Sequence, residues 1–393
     1  MPHLHLPLHN IILLSILLHC FPLQGSETPI IKAQARHAIH AVKRRNQYKQ
    51  NVQLYEKKIQ EKESKLGKND SLLVPLYEKL GLLHYQFKNY RQATTYYEKA
   101  LQVRLSPNGK SNKKAIINLL SNCGLAYYFQ KENVLALAKH RTILTLINSS
   151  NLENTNQDQV VKQMYMNYLF KTHINIAAVY VQMKQYHNAI EEYLNAGDLK
   201  NEISLGSLYL AHFYHDLANA YYQSNQITKA ITNYEIASKL QEKELGEADF
   251  ITLTTWQQLG DAYRANYDFT KAKNYYEKTW QSAQKYLPEN HTLMVSIDRN
   301  LKEIKREMIQ SRQKEEKARS KNDSWKNNEQ ITESLSPSRN ITIPSKSQYP
   351  PSKTYMLSSS IPVIGAMLGI AGIAKATKNS SKKRAKEKIG IAN

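Results

Sequence analysis

The chain is poor in residues that interrupt a helix. Its 393 residues include only 13 Gly and 12 Pro, and several of those prolines fall near the two ends. With so few breakers and so much Leu, Ala, Tyr, Lys, Gln and Glu, the middle reads as helix. Cysteine is almost absent. Cys20 and Cys123 cannot build a disulfide framework, and no CxxC metal spacing exists. Catalytic signatures are missing as well: there is no HExxH, GxSxG, Walker or GxGxxG sequence. No enzyme, cofactor or metal is therefore expected, nor is a small-molecule substrate.

Acidic residues are in deficit, and the net charge is +21. The excess is uneven. Residues 31–70 carry eleven Lys and Arg against four Asp and Glu, and residues 301–393 carry nineteen against eight. A nearly neutral body with basic ends points to ends that meet anionic surfaces. Nucleic acid is not the expected partner, because the charge lies outside the body and is not interleaved with exposed aromatics.

Tyrosine is plentiful, at 26. Many of these recur in one pattern, clearest from Trp256 to Tyr276. Trp256, Leu259, Gly260 and Tyr263 fall at i, i+3, i+4 and i+7, one face of a helix. Asn266 to Phe269 makes a polar break, and Ala272 and Tyr276 follow on a second helical run. The pattern recurs with Gly81, Gly124, Ala177 and Ala218 in the place of Gly260, at spacings of 43, 53, 41 and 42. Cys123 then occupies the Leu259 slot and is expected as a small core residue. The aromatic of the second run is Tyr97, His140, Tyr193 or Tyr234. Departures are His84 in the Tyr263 slot, and Ile143 and Thr279 where a small residue is expected.

The spacing W-x2-L-G-x2-Y, with Ala nine residues later and an aromatic four beyond it, resembles the tetratricopeptide repeat. The period is longer than that of the standard repeat by about two helical turns. In this it is similar to the long variant of kinesin light chains, whose N-x-A-x-x-Y phrase resembles Asn175 to Tyr180. The resemblance implies an all-α, right-handed solenoid of about five helix–turn–helix repeats over 71–290. It also implies a protein or peptide partner held in the concave groove by first-helix residues. Those residues are Asn122, Tyr128, Asn175, His215, Asn219, Tyr222, Gln257, Asp261 and Arg264. Asn122 and Asn175 match the asparagine of the long-variant phrase, which in that family helps hold peptide. Amides suit this task because they both donate to and accept from an extended backbone. His212, His215 and Asp216 have metal-ligand spacing on one helix, but their place in the groove favours peptide recognition.

The flanks carry location. Residues 1–25 look like an export signal, with an apolar run from Ile11 to Phe21. Residues 26–70 read as one or two charged capping helices, and 291–319 as a closing helix with Leu293, Ile297, Leu301, Ile304 and Met308 on one stripe. Ser149 to Gln159 reads as an inserted loop, and 320–355 as a disordered tether. Residues 356–374 form an uncharged run, a membrane-anchor candidate through Ile361, Gly365, Leu368, Gly369 and Ile373, and 375–393 are a basic tail. The expected protein is an exported or membrane-tethered adaptor. The alternatives are a structural or assembly subunit of a membrane or envelope complex, and a cytoplasmic scaffold if the N-terminal segment is not a signal.

Overall fold

The computed structural model describes residues 29–106, 112–149 and 159–332, with side chains described from 39 to 320 within those spans. The signal-like segment with Cys20, the interior of the 149–159 insertion, and everything from 333 onward lie outside the described residues. The anchor candidate with Ile361, Gly365, Leu368, Gly369 and Ile373 is therefore outside them too. Among the described residues the structure is all-α, with no strand.

Two compact units are present, one through Ser150 and one from Asn151. The first begins with α1 (Pro29–Leu66), one uninterrupted helix where sequence allowed two. A 3-10 turn at Ser71–Leu73 follows. Then come two helical hairpins, α2 (Val74–Gln86) with α3 (Tyr90–Leu105), and α4 (Lys113–Phe129) with α5 (Asn133–Asn148). The second unit has three hairpins. These are α6 (Gln159–Gln182) with α7 (Tyr186–Leu199), α8 (Ser207–Gln223) with α9 (Ile227–Leu245), and α10 (Phe250–Ala265) with α11 (Phe269–Ala283). It ends in α12 (Thr292–Thr332). Within each unit, the second helix of one hairpin packs on the first helix of the next.

One packing slot explains the repeated sequence. A Cβ placed on Gly81 would stand 2.6 Å from the Tyr97 ring, and one on Gly260 would stand 2.6 Å from the Tyr276 ring. The first helix must be small where the second helix lays down its aromatic side chain. Ala177 and Ala218 take the same place relative to Tyr193 and Tyr234, all four buried. Burying an aromatic at each slot is the main apolar stabilisation of the hairpins, since truncating such a residue costs about 3–5 kcal/mol. The departures fit: His84, Cys123, Ile143 and Thr279 are all buried.

The hairpin turn repeats just as strictly. Two turns past each small anchor stands a residue with left-handed φ: Lys88 at 62°, Lys131 at 64°, Lys184 at 59°, Asn225 at 63° and Tyr267 at 61°. The next N–H reaches back to a carbonyl at the end of the first helix, as from Asn89 to His84 at 2.9 Å and from Asp268 to Tyr263 at 3.0 Å. This closes the first helix with the six-to-one bond of a Schellman cap and sends the chain back alongside it.

The closing helix runs further than sequence suggests, to Thr332 instead of Arg319. Nothing in residues 320–332 stops it, because that stretch contains neither Pro nor Gly. Its start stacks as the first helix of a sixth hairpin would. Lys302 stands as far past Gly260 as Gly260 stands past Ala218, so it holds the anchor position. It is ion-paired at 2.7 Å with Asp298, which stands in the place of Trp256. A charged pair instead of the small residue and the tryptophan leaves no slot for another aromatic, and the stack stops there.

Candidate functional site

The first-helix residues expected to face a ligand lie one residue after the anchor, four after it, and two or three before it. In α8, α10 and α12 these positions are tied to one another. The Asn219 side-chain oxygen accepts the Tyr234 hydroxyl at 2.5 Å and the Gln258 amide at 3.2 Å. One repeat on, Asp261 accepts the Tyr276 hydroxyl at 2.6 Å and the Asn300 amide at 3.1 Å. In each case one bond closes a hairpin and the other joins successive first helices.

His215 completes this seam. Its Nε2 lies 2.6 Å from the Gln258 side-chain oxygen, and its Nδ1 lies 3.2 Å from the Asn219 amide nitrogen. The neutral ring protonated on Nε2 satisfies both contacts, donating to Gln258 and accepting from Asn219. Asp216 stands 3.3 Å from Nδ1. Gln257 donates to the Ser296 hydroxyl at 2.7 Å, and the Arg264 guanidinium grips Glu303 at 2.8 Å and Glu307 at 2.9 Å. Burial raises the Asp261 carboxyl to about 6, against the opposing pull of the Tyr276 hydrogen bond and Arg264. Burial, with the Asp261 charge behind it, pushes the Tyr222 phenol up to about 12.

These residues therefore do not escape the packing as the sequence implied. Gln257 is 7% exposed and Asn175 only 5%, with the Asn175 side-chain oxygen left unpartnered. Amides and carboxylates facing a neighbouring helix find partners there before any ligand arrives. His212, expected beside His215 and Asp216, is buried, and burial lowers its pKa. Among the described residues no group of three side chains is placed to hold a metal ion.

The first unit is different. The positions one and four past the anchor on α2 and α4 are apolar or aromatic: Leu82, Tyr85, Leu125 and Tyr128. Leu82 is 44% exposed. Tyr85, Tyr90 and Phe129 form a cluster, with Tyr90 stacked on Phe129 at 4.9 Å and Tyr85 edge-on to Phe129 at 5.9 Å. Tyr128 meets Phe129 edge-on at 5.3 Å. The Tyr85 hydroxyl is buried without a partner, and burial raises its pKa. On α4 the half-buried Asn122 amide has no partner among the described residues. Tyr85, Tyr90 and Phe129 were not singled out from sequence, although Tyr85 occupies the same position as Tyr128, four past the anchor.

Comparison with known proteins agrees with this architecture. Tetratricopeptide repeat family models match residues 76–106, 170–202 and 209–285. These spans cover the α2–α3, α6–α7, α8–α9 and α10–α11 hairpins. The α4–α5 hairpin has no such match, yet its Gly124, His140 and Lys131 keep the slot and the turn of the others. No curated protein sequence is matched at a significant level. Among solved structures, BtubC from P. vanneervenii is 19% identical with a TM-score of 0.48, covering 61% of this chain and 94% of its own. Nearly identical TPR-like repeats from Podosopora anserina are 16% identical at a TM-score of 0.44, covering 55% and 97%. MamA from Desulfovibrio magneticus RS-1 is 17% identical at 0.40, covering 55% and 97%. Tetratricopeptide repeats are protein-interaction modules, and this chain carries them at four hairpins, with the α4–α5 hairpin built to the same plan.

Proposed function

We propose that the protein is an adaptor that binds an extended protein segment on the first-helix face of its first unit. The observation that carries this is the contrast between the two sets of positions. On α8 and α10 the polar side chains are consumed by the seam between helices. On α2 and α4, Leu82 and the aromatic cluster offer apolar area, and Asn122 offers an unengaged amide beside it. Apolar anchors take side chains, and a free amide holds the peptide backbone in register. Leu82 and the half-buried Tyr85, Tyr90 and Phe129 are the contact, Tyr128, itself only 7% exposed, braces Phe129 edge-on, and Asn122 is the clamp. Asn175, His215, Asn219, Tyr222, Gln257, Asp261 and Arg264 stiffen and shape the polar face of the second unit.

The test is selection of peptides on the intact chain from a displayed library, followed by titration of the selected peptide against variants. Asn122→Ala and Leu82→Ala should each weaken binding about tenfold or more while helicity is retained. Unchanged affinity in both would refute the reading.

Location belongs to the same proposal. The apolar runs from Ile11 to Phe21 and from Met356 to Ala374 support an exported or membrane-tethered adaptor. Among the described residues, no helix is long and apolar enough to cross a membrane. Intact mass and membrane fractionation, with and without residues 356–393, decide it. An uncut N-terminus with a soluble full chain would overturn it.

A further inference from the structure

The N-terminal helix α1 is more than a solvated cap, because its contacts repeat those of a later second helix, α9, at one constant offset along the chain. Trp256 donates to Glu242 at 2.6 Å, and Tyr77 donates to Glu63 at 2.5 Å. Tyr263 donates to Glu235 while stacking on Tyr275. In the matching places, His84 stacks on Tyr96 at 5.4 Å, and Tyr96 donates to Glu56 at 3.1 Å. By this register Glu56 and Glu63 stand for Glu235 and Glu242, and Tyr55 stands for Tyr234, the buried aromatic of the α8–α9 slot.

Tyr55 has no slot. In every hairpin the aromatic is covered by a first helix with a small residue opposite it. Residues 29–66 are one continuous helix, so from Pro29 to Tyr48 this helix runs on along its axis and makes no turn. The main packing partners of α1 are α2 and the 3-10 turn, on the side of Glu56 and Glu63. Tyr55 is half-buried, with the Lys58 ammonium 5.9 Å from its ring. At 3.6 residues per turn, Arg44, Asn51, Lys58 and Lys62 share its stripe, as does Tyr48, which is already covered by Phe87 at 4.1 Å. The three cations there meet no carboxylate on that stripe, since Glu56, Glu61 and Glu63 point elsewhere around the helix.

We infer that this stripe of α1 receives a helix from a protein partner: an acidic amphipathic helix with a Gly or Ala over Tyr55 and carboxylates against Arg44, Lys58 and Lys62. Such a helix completes the unfinished hairpin. The aromatic position asks for a small residue, as Gly81 and Gly260 show, and the three cations ask for acid. A second copy of the chain does not fit. The unpaired first helix α12 holds the Asp298–Lys302 pair where a small residue is needed over Tyr55, with Arg299 and Arg306 beside it facing the cations of α1. The site is separate from the groove of α2 and α4, so the two readings stand or fall independently.

The experiment titrates the full chain with a synthetic amphipathic peptide of about twenty residues, long enough to form a helix on docking. It carries a central Leu-Gly step with glutamates one turn to either side. Saturable binding is expected, weakened about tenfold or more by Tyr55→Ala and by the double variant Lys58→Glu, Lys62→Glu. A peptide with lysines for the glutamates should bind the double variant and not the native chain. Asn122→Ala should leave this binding unchanged. All three α1 substitutions fall on exposed or half-buried positions, and helicity by circular dichroism verifies folding. Binding that ignores Tyr55→Ala, or that anionic vesicles or an oligonucleotide match at equal affinity, would show general attraction of anions and overturn the inference.

Discussion

His140 lies directly beneath Gly124: a Cβ on that glycine would stand 2.5 Å from the imidazole ring. The ring is fully buried, and neither of its nitrogens has a hydrogen-bond partner. The other hairpins place a tyrosine in this slot. Burial alone lowers the His140 pKa to about 4 from 6.5. The folded state therefore binds fewer protons than the unfolded chain between those values. This term is small at pH 7, and stability falls as pH drops below 6.5, by up to about 3 kcal/mol near pH 4. His140→Phe should remove that slope and raise stability at pH 7 by about 1–2 kcal/mol, since it ends the burial of unpaired nitrogens. The first unit has no tryptophan, so hydrogen exchange of α4 and α5 amides at pH 5 and pH 7 is the measurement. An equal pH slope in the variant would remove His140 from the account.

The hairpin turns hold a second expectation. Lys131 has φ of 64° and Lys184 of 59°, a region in which a side chain costs about 1–2 kcal/mol. Lys131→Gly should stabilise its hairpin by up to about 1 kcal/mol, less what glycine loses through added freedom when unfolded. Lys131→Val should destabilise by about 1–2 kcal/mol, because a β-branched side chain is worst at positive φ. Protection of the α4–α5 amides against exchange should follow that order. A valine variant as protected as the native chain would contradict it.

The hairpins could be read from sequence because their slot tolerates few residues. Gly260 and Tyr276, or Ala218 and Tyr234, are recognisable wherever they recur. The turns could not, since lysine, asparagine and tyrosine fill the left-handed position and no glycine marks it. The polar seam was equally hidden. Asn219 looks the same in a sequence whether it waits for a peptide or already holds Tyr234 and Gln258. Tyr55 has no small residue at the matching distance before it, so the repeat in α1 shows only in the folded contacts of Glu56 and Glu63, which match those of Glu235 and Glu242. The unit-one aromatic cluster needed the fold to bring Tyr85 and Tyr90 beside Phe129.

Gly260 tests the slot itself. Ala218 fills the equivalent place opposite Tyr234, so Gly260→Ala should cost less than about 1 kcal/mol, the ring moving slightly and helix propensity improving. Gly260→Leu cannot be absorbed in this way. With the Tyr276 ring 2.6 Å from even a Cβ, the larger side chain must part α10 from α11, at about 3 kcal/mol or more. Trp256 on α10 and Trp280 on α11 report this by fluorescence in urea titrations. Equal midpoints for the two variants would mean the close approach is not what holds the hairpin.

Asp261 and Asn219 do the same task in consecutive hairpins, one with a charge and one without. Each accepts a tyrosine hydroxyl from its own hairpin and an amide from the next first helix. The charge at 261 is thus not needed for the bonds, and burial makes it unfavourable: the carboxyl is raised to about 6 from 3.8. A raised carboxyl pKa means the folded state holds its proton longer. This group therefore favours the folded state below about pH 4 and loses that advantage as pH rises through 6. At pH 7 the disadvantage is about 2 kcal/mol, allowing for the partial exposure of the side chain. Asp261→Asn keeps the acceptor oxygen for Tyr276 and Asn300, and Arg264 retains Glu303 and Glu307. It should stabilise the second unit at pH 7 by about that amount and leave stability near pH 4 unchanged. Asp261→Ala strands the buried Tyr276 hydroxyl and should cost about 1–3 kcal/mol relative to the asparagine variant at both values. Tryptophan-monitored urea titrations at pH 4 and pH 7 separate these outcomes. A loss of stability in Asp261→Asn at pH 7 would mean that the carboxylate charge, through Arg264, holds the seam together.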